Sequence, residues 1–126
     1  MARPSQSGET GFTVAEMLVV ILIVGLLAAV AVPSINGAIT RAEEAALREN
    51  LAVMRRALDD HFADKGRYPQ DLETLVSERY LRFIPADPVS EDAAGWALTT
   101  DDSGGIEDVG SASDATGSND IPYREW

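Results

Sequence analysis

The chain has 126 residues, which is enough for one small domain and one long helix. Apolar residues make up 45% and charged residues 25%, the proportions of a folded protein and not of a disordered tail. The absence of cysteine and the single histidine, His61, exclude disulfides, thiolate and His-rich metal sites and cysteine nucleophiles, and the net charge of −11 argues against a nucleic-acid partner.

An uncharged apolar run occupies residues 17–32. As a helix at about 1.5 Å per residue it would measure about 24 Å, which is short of the roughly 30 Å hydrocarbon core of a bilayer. A helix that starts at Phe12 reaches about 31 Å and spans that core. This longer helix contains the carboxylate of Glu16, an unusual residue within a membrane span.

Three kinds of segment have this composition. A cleaved signal peptide needs a basic start, an apolar run and an Ala-x-Ala site, which Ala29-Val30-Ala31 supplies, and the mature chain would then begin at Val32. An uncleaved signal anchor has the right length but gives Glu16 no purpose. The third interpretation depends on the order of residues around this glutamate.

The residues before the apolar run read Gly11-Phe12-Thr13-Val14-Ala15-Glu16, and Pro33 follows the run. This order resembles the N-terminus of type IV pilins and of the pseudopilins of type II secretion systems. The resemblance implies that a prepilin peptidase cleaves between Gly11 and Phe12 and that Phe12 is then N-methylated. Glu16 becomes the fifth residue of the mature chain and Pro33 the twenty-second, and the resemblance assigns both to filament assembly.

The helical pattern continues beyond Pro33, where the missing N–H predicts a kink or a weakened hydrogen-bond ladder. Apolar residues recur three and four positions apart: Ile35, Ile39, Ala42 and Ala46, then Leu47, Leu51, Met54, Leu58 and Phe62. Charged residues fill much of the remaining surface of this amphipathic half: Glu43, Glu44, Arg48, Arg55, Arg56, Asp59 and Asp60. We predict one helix from Phe12 to Ala63, which Gly66 ends.

A small head is expected after this helix. Asp71 is placed to cap a short helix. Residues 96–100 and 106–109 are predicted to form two strands around a turn at 101–105. The predicted fold class is therefore α+β: a long N-terminal helix, transmembrane in its first half and amphipathic in its second, packed on a C-terminal head with a short antiparallel β-sheet.

The head also resembles that of major pseudopilins. The shared features are the segments Gly66-Arg67-Tyr68-Pro69 and Ile84-Pro85-Ala86-Asp87-Pro88 and the final Trp126. Major type IVa pilins usually close a C-terminal loop with a disulfide, which this chain has no cysteine to form. The resemblance therefore favours a major pseudopilin, with a type IV pilus pilin as the alternative.

No enzyme motif is evident, because the sequence has no glycine-rich phosphate loop, nucleophile elbow or zinc-binding helix motif. We interpret His61 as an ordinary surface or core-edge residue, and Tyr80 and Trp96 as packing residues of the head. Asp59 and Asp60 are adjacent on a helix and do not face each other, which argues against a shared acid–base role. No catalytic residue is predicted.

The last third of the chain is acidic, with ten Asp and Glu residues and one arginine in residues 85–126. Such a run is typical of a solvated surface, and cation binding is the alternative. Calcium takes six to eight oxygen ligands, which a polar loop can provide. Major pseudopilins have a calcium-binding loop at this end of the chain, so the resemblance implies calcium, with Asp108, Ser111, Asp114 and Asp120 as the ligands. Without calcium we expect this loop to be loose.

The resemblance divides the chain into a leader peptide (1–11), a hydrophobic transmembrane and polymerisation helix (12–33) and a periplasmic part with the amphipathic helix and small β head (34–126). It implies a structural subunit of a type II secretion pseudopilus, which assembles into a periplasmic filament that drives protein secretion. A periplasmic binding domain with a cleaved signal peptide is the alternative from a different class.

The implied partners are other copies of the chain in a helical homopolymer, minor pseudopilins, an inner-membrane assembly platform and the prepilin peptidase. The implied location is the inner membrane, crossed once, with the N-terminus cytoplasmic and the head periplasmic. Within the filament, Glu16 is expected to pair with the new α-amino group of Phe12 in a neighbouring subunit, because a buried carboxylate needs a cationic partner.

Overall fold

The computed structural model describes residues 11–90 and 95–126. Helix α1 spans Val14–Lys65 and the short helix α2 spans Leu72–Ser77. Strands β1 (Ala97–Thr100) and β2 (Ile106–Gly110) follow, and a 3-10 turn covers Tyr123–Glu125. The predicted α+β class is confirmed. The chain divides into two compact units, Met1–Ala38 and Ile39–Trp126, of which the second is called the C-terminal unit below.

Helix α1 begins two residues later than predicted, because Thr13 acts as its N-terminal cap. The backbone N–H of Glu16 donates to the Thr13 hydroxyl at 3.1 Å, and the N–H of Met17 donates to the Thr13 carbonyl at 3.1 Å. The bond to the hydroxyl satisfies an N–H group of the first turn that has no partner within the helix, and the bond to the carbonyl is the first of the helix ladder. The negative charge of Glu16 also lies at the end of the helix where the macrodipole favours it.

Helix α1 ends at Lys65, two residues later than predicted, and Gly66 ends it as expected. Gly66 has φ of 71° and donates its N–H to the carbonyl of Phe62 at 2.8 Å, the left-handed conformation that glycine adopts without a steric penalty. Pro33 lies inside the helix and does not end it. The kink expected at Pro33 stays a prediction.

The core of the C-terminal unit forms where one stripe of α1 meets the head. The apolar residues that share this core are Leu47, Leu51, Met54, Ala57, Leu58, Leu72, Leu75, Leu81, Trp96, Ile106, Val109 and Tyr123. The predicted stripe is confirmed from Leu47 to Leu58 and wrong at Phe62, which is 44% exposed and lies against Tyr68. The stripe continues to His61 instead, because the head covers that side of the last turn. The stripe residues Ile35, Ile39, Ala42 and Ala46 are exposed.

The two strands form an antiparallel hairpin in the predicted place. Leu98 pairs with Val109, and a register shift follows at Thr99/Thr100. In the turn, the Asp101 carboxylate accepts N–H bonds from Ser103 and Gly105 at 2.9 and 2.8 Å. Gly105 is required there, because a Cβ atom would lie 2.9 Å from the Cβ of Tyr68.

The head is tied together by two further contacts. Asp71 caps α2 as predicted, since its carboxylate accepts from the N–H and the hydroxyl of Thr74, both at 2.7 Å. These two bonds hold the pKa of Asp71 below its ordinary value, and the bond from the hydroxyl has the larger effect. Trp96 is buried and donates its indole N–H to the carbonyl of Pro85 at 2.7 Å, which confirms its predicted packing role.

Candidate functional site: the apolar helix and the C-terminal loop

The predicted cleavage junction lies just before α1. Gly11 has φ of 59°, a conformation that favours glycine, and Phe12 is 75% exposed in non-helical backbone. A peptide bond in exposed, non-helical backbone is accessible to a peptidase. The rest of the predicted leader, residues 1–10, lies outside the described residues.

The first part of α1 presents an unbroken apolar surface. Within the described residues, α1 is the one helix that is long and apolar enough to cross a membrane, and none of its apolar stretch is buried. Large side chains such as Leu18, Ile21, Leu27 and Val30 are 62–77% exposed. A contiguous apolar surface of this size needs lipid or other helices to cover it. Glu16 is the one charged residue in the segment 12–33.

The second site is the C-terminal loop, defined here as residues 111–126, which docks on α1 through a buried carboxylate. Glu44 is 2% exposed and accepts three hydrogen bonds. Its Oε1 receives the Ser118 N–H at 2.7 Å and the Tyr123 hydroxyl at 3.0 Å, and its Oε2 receives the Ser118 hydroxyl at 2.5 Å. The bonds from Ser118, of which the one from the hydroxyl has the largest effect, hold the pKa of Glu44 below its ordinary value, although burial acts to raise it.

Two arginines of α1 hold the end of the loop. Arg55 donates from Nε to the Asp108 carboxylate at 2.8 Å, and from its terminal nitrogen to the carbonyls of Val109 at 3.0 Å and Trp126 at 2.7 Å. Arg48 lies over the Trp126 ring, 4.4 Å from its centroid, a cation–π contact. Since Arg48 and Arg55 follow Glu44 by four and eleven residues, the three lie on one face of the helix.

Asp87 connects the loop to the segment before the strands. Its Oδ1 accepts the N–H groups of Val89 and Ser90 at 3.0 and 3.2 Å. Its Oδ2 accepts the hydroxyl of Ser111 at 2.6 Å and the N–H of Ala112 at 3.3 Å. Ser111 is 1% exposed, so the half-buried carboxylate of Asp87 holds a buried residue at the start of the loop.

The four proposed calcium ligands each contact a different partner, and these contacts do not bring their oxygen atoms around one point. Asp108 pairs with Arg55, Asp114 pairs with Arg124, and Ser111 donates to Asp87. Asp120 has φ of 61° and donates its N–H to the Gly117 carbonyl. Across residues 11–90 and 95–126, no group of three or more His, Cys, Asp or Glu side chains could hold a metal ion. Calcium at these residues stays a prediction.

His61 is buried, 3% exposed, between two hydrogen-bond acceptors. Its Nδ1 lies 2.8 Å from the carbonyl of Arg67 and its Nε2 3.0 Å from the carboxylate of Glu78, so the ring connects α1 to the C-cap residue of α2. Tyr80 packs edge-on against it and donates its hydroxyl to Asp64, a bond that raises the pKa of Tyr80 to about 12. The predicted packing role of Tyr80 is confirmed, and these contacts make His61 structural.

The amphipathic pattern predicts Glu44 and Arg55 on the polar surface of α1, and this prediction is wrong for Glu44, which is buried. A signal was available, since Glu44 precedes Leu47 by three residues and Arg55 follows Leu51 by four, which puts both in phase with the apolar stripe. A charged residue in that phase must find a partner when the stripe is buried.

Comparison with known proteins agrees with the N-terminal motif. The chain is 33% identical over 100 residues to type II secretion system core protein G of Escherichia coli K12, which covers 67% of this chain and 69% of the relative. The protein of the same name from Klebsiella pneumoniae is 34% identical over 100 residues, covering 67% and 71%. The chain belongs to the type II secretion system core protein G family.

A more distant core protein G, from Vibrio cholerae, is 31% identical over 99 residues, covering 67% of this chain and 68% of the relative. No protein-family model matches the chain, and no solved structure matches it significantly. The resemblance to pseudopilins is therefore confirmed, and the relatives have the name of a secretion-system protein and not that of a pilin.

Proposed function

We propose that this chain is a major structural subunit of a type II secretion pseudopilus, a periplasmic filament that drives protein secretion. The observation that carries the proposal is its membership of the core protein G family. The exposed apolar surface of α1 supports a subunit whose helix is covered by lipid before assembly and by other helices after it. A structural role needs no catalytic residue.

The proposal includes a single membrane crossing by residues 12–33, with the N-terminus in the cytoplasm and the C-terminal unit in the periplasm. Prepilin peptidase cleaves between Gly11 and Phe12 and Phe12 is N-methylated. The exposed, non-helical backbone at this junction supports cleavage there. The partners are other copies of the chain, minor pseudopilins and an inner-membrane assembly platform.

Glu16 is proposed to determine the register of each incoming subunit. A charged side chain at the centre of a bilayer costs about 2.5–3.5 kcal/mol, and less near the headgroups, so a single chain tolerates Glu16 near the end of its span. In a filament, neighbouring helices replace the headgroups and the carboxylate needs a cation. The α-amino group of Phe12, which cleavage creates, is the cation at this level of the neighbouring subunit.

The mass of the intact protein extracted from membranes tests the proposal most directly. Prepilin processing predicts a chain that begins at Phe12 with one added methyl group. A chain that begins at Val32 would establish the signal-peptide alternative and end the filament proposal.

The register role needs a separate test. We expect Glu16→Gln and Glu16→Ala to be inserted and processed normally but not to polymerise, and Glu16→Asp, which keeps the charge, to assemble in part. Crosslinking and filament imaging measure this outcome. Filaments of Glu16→Ala at wild-type yield would refute the register role and leave the family assignment intact.

A further inference from the structure

The C-terminal loop contains a network of its own hydrogen bonds and contacts α1 at the buried carboxylate of Glu44, in addition to Arg48 and Arg55 at its end. Within the loop, Gly117 donates its N–H to the carbonyl of Ile121 at 2.9 Å, and Tyr123 donates to the carbonyl of Ala115 at 2.9 Å. The carboxylate of Glu44 in α1 accepts hydrogen bonds from Ser118 and Tyr123 of this loop. A carboxylate removed from water is costly unless protein donors replace its hydration, and here three donors do so.

Three of the four proposed calcium ligands, Asp108, Ser111 and Asp114, are already bound to protein groups through their side chains. The Asp108 carboxylate is 2.8 Å from the guanidinium of Arg55, and Asp114 pairs with Arg124. A calcium ion at either carboxylate would stand beside a guanidinium, and the repulsion between the two cations opposes binding. Calcium also requires six to eight oxygen ligands around one point, and the contacts of these residues do not bring that many oxygens together. The donor set therefore does not fit a calcium site.

We propose that Glu44 and Arg55 hold the C-terminal loop on α1 in place of a divalent cation, so that the C-terminal unit folds and keeps this loop ordered without calcium. The two residues act at different places. Glu44 fixes the middle of the loop through Ser118, and Arg55 fixes its end through the Trp126 carbonyl. The inference goes beyond the proposed function, since a pseudopilus subunit needs a folded loop whatever holds it.

The test uses the full-length protein in detergent micelles, because the C-terminal unit has not been shown to fold alone. Hydrogen–deuterium exchange of peptides from residues 111–126, and thermal unfolding followed by Trp96 and Trp126 fluorescence, are measured with millimolar calcium and with EGTA. We expect the same exchange and the same unfolding midpoint in both conditions.

Variants then identify what holds the loop. Glu44→Gln replaces one acceptor oxygen by an NH₂ group that faces a donor, and Glu43→Gln is the matched control because Glu43 is the adjacent exposed residue. Loss of one or two hydrogen bonds of ordinary net strength should speed amide exchange in the loop by about tenfold or more. Tyr123→Phe removes one donor, keeps the ring and should accelerate amide exchange less than Glu44→Gln. It tests the proposal on its own if Glu44→Gln does not fold.

Two results would overturn the proposal. One is a calcium-dependent rise in the unfolding midpoint of the unaltered protein with slower exchange in residues 107–120. The other is exchange in Glu44→Gln and Tyr123→Phe that is indistinguishable from that of Glu43→Gln. Equal exchange with calcium and EGTA, together with a loop loosened by Glu44→Gln and Tyr123→Phe and not by Glu43→Gln, supports it.

Discussion

Replacing Arg55 by alanine should destabilise the C-terminal unit selectively. The guanidinium makes three hydrogen bonds, two of them to the backbone carbonyls of Val109 and Trp126. At about 1 kcal/mol net for each, these two contribute about 2 kcal/mol. The ion pair with Asp108 adds up to about 1 kcal/mol, because the side chains are 37% and 52% exposed and water screens their charges. The expected loss is therefore about 2–3 kcal/mol.

For a unit of this size, 1 kcal/mol lowers the unfolding midpoint by about 4–8 °C, so Arg55→Ala should lower it by about 10–20 °C. Unfolding of the full-length protein in micelles is followed by tryptophan fluorescence, since Trp126 lies at the altered contact. Arg56→Ala is the control, because Arg56 is the exposed neighbour on the same helix and its replacement has the same effect on charge and helix propensity.

Arg55→Lys should recover only part of the loss, because one ammonium group cannot reach three acceptors held by a planar guanidinium. Equal midpoints for Arg55→Ala and Arg56→Ala would show that the three bonds exchange for water at no net cost. The account of how the loop is held by Arg55 would then be wrong.

Three further predictions concern the same unit. The Ser118 hydroxyl, first among its hydrogen-bond donors, holds the pKa of Glu44 below its ordinary value of 4.5. The stabilisation of the folded unit by the ionised Glu44 is therefore complete above pH 4.5 and is lost as the pH falls through the lowered pKa. The free energy of unfolding measured against pH should fall in this acid range, and Glu44→Gln should remove that fall. Leu58→Ala, at a fully buried position, should cost about 2.7–5 kcal/mol in chemical denaturation, and a cost under 1 kcal/mol would refute the core assignment. Gly105→Ala should destabilise the hairpin, since its Cβ would meet Tyr68, and an unchanged melting curve would contradict this.

The elements of this fold were predictable where their causes are local. The apolar run, the cap at Asp71, the stop at Gly66 and the turn at 101–105 between the two strands each depend on residues within one or two turns of the chain. The structure reproduces each of them, with the ends of α1 displaced by two residues at most. The prepilin-like motif is also local, since its meaning depends on the order of residues from Gly11 to Glu16 and on the position of Pro33.

Tertiary structure decided how the charged residues are used. Glu44 bonds to Tyr123, 79 positions away, and Arg55 bonds to Asp108, 53 positions away. Periodicity places Glu44 and Arg55 in phase with the apolar stripe but does not say which segment covers that face. For the same reason, periodicity predicts Phe62 in the core and His61 at its edge, whereas the structure buries His61 and exposes Phe62. Partners are chosen where segments distant in sequence meet, because a buried charge is stable only beside the donors or acceptors that folding brings to it.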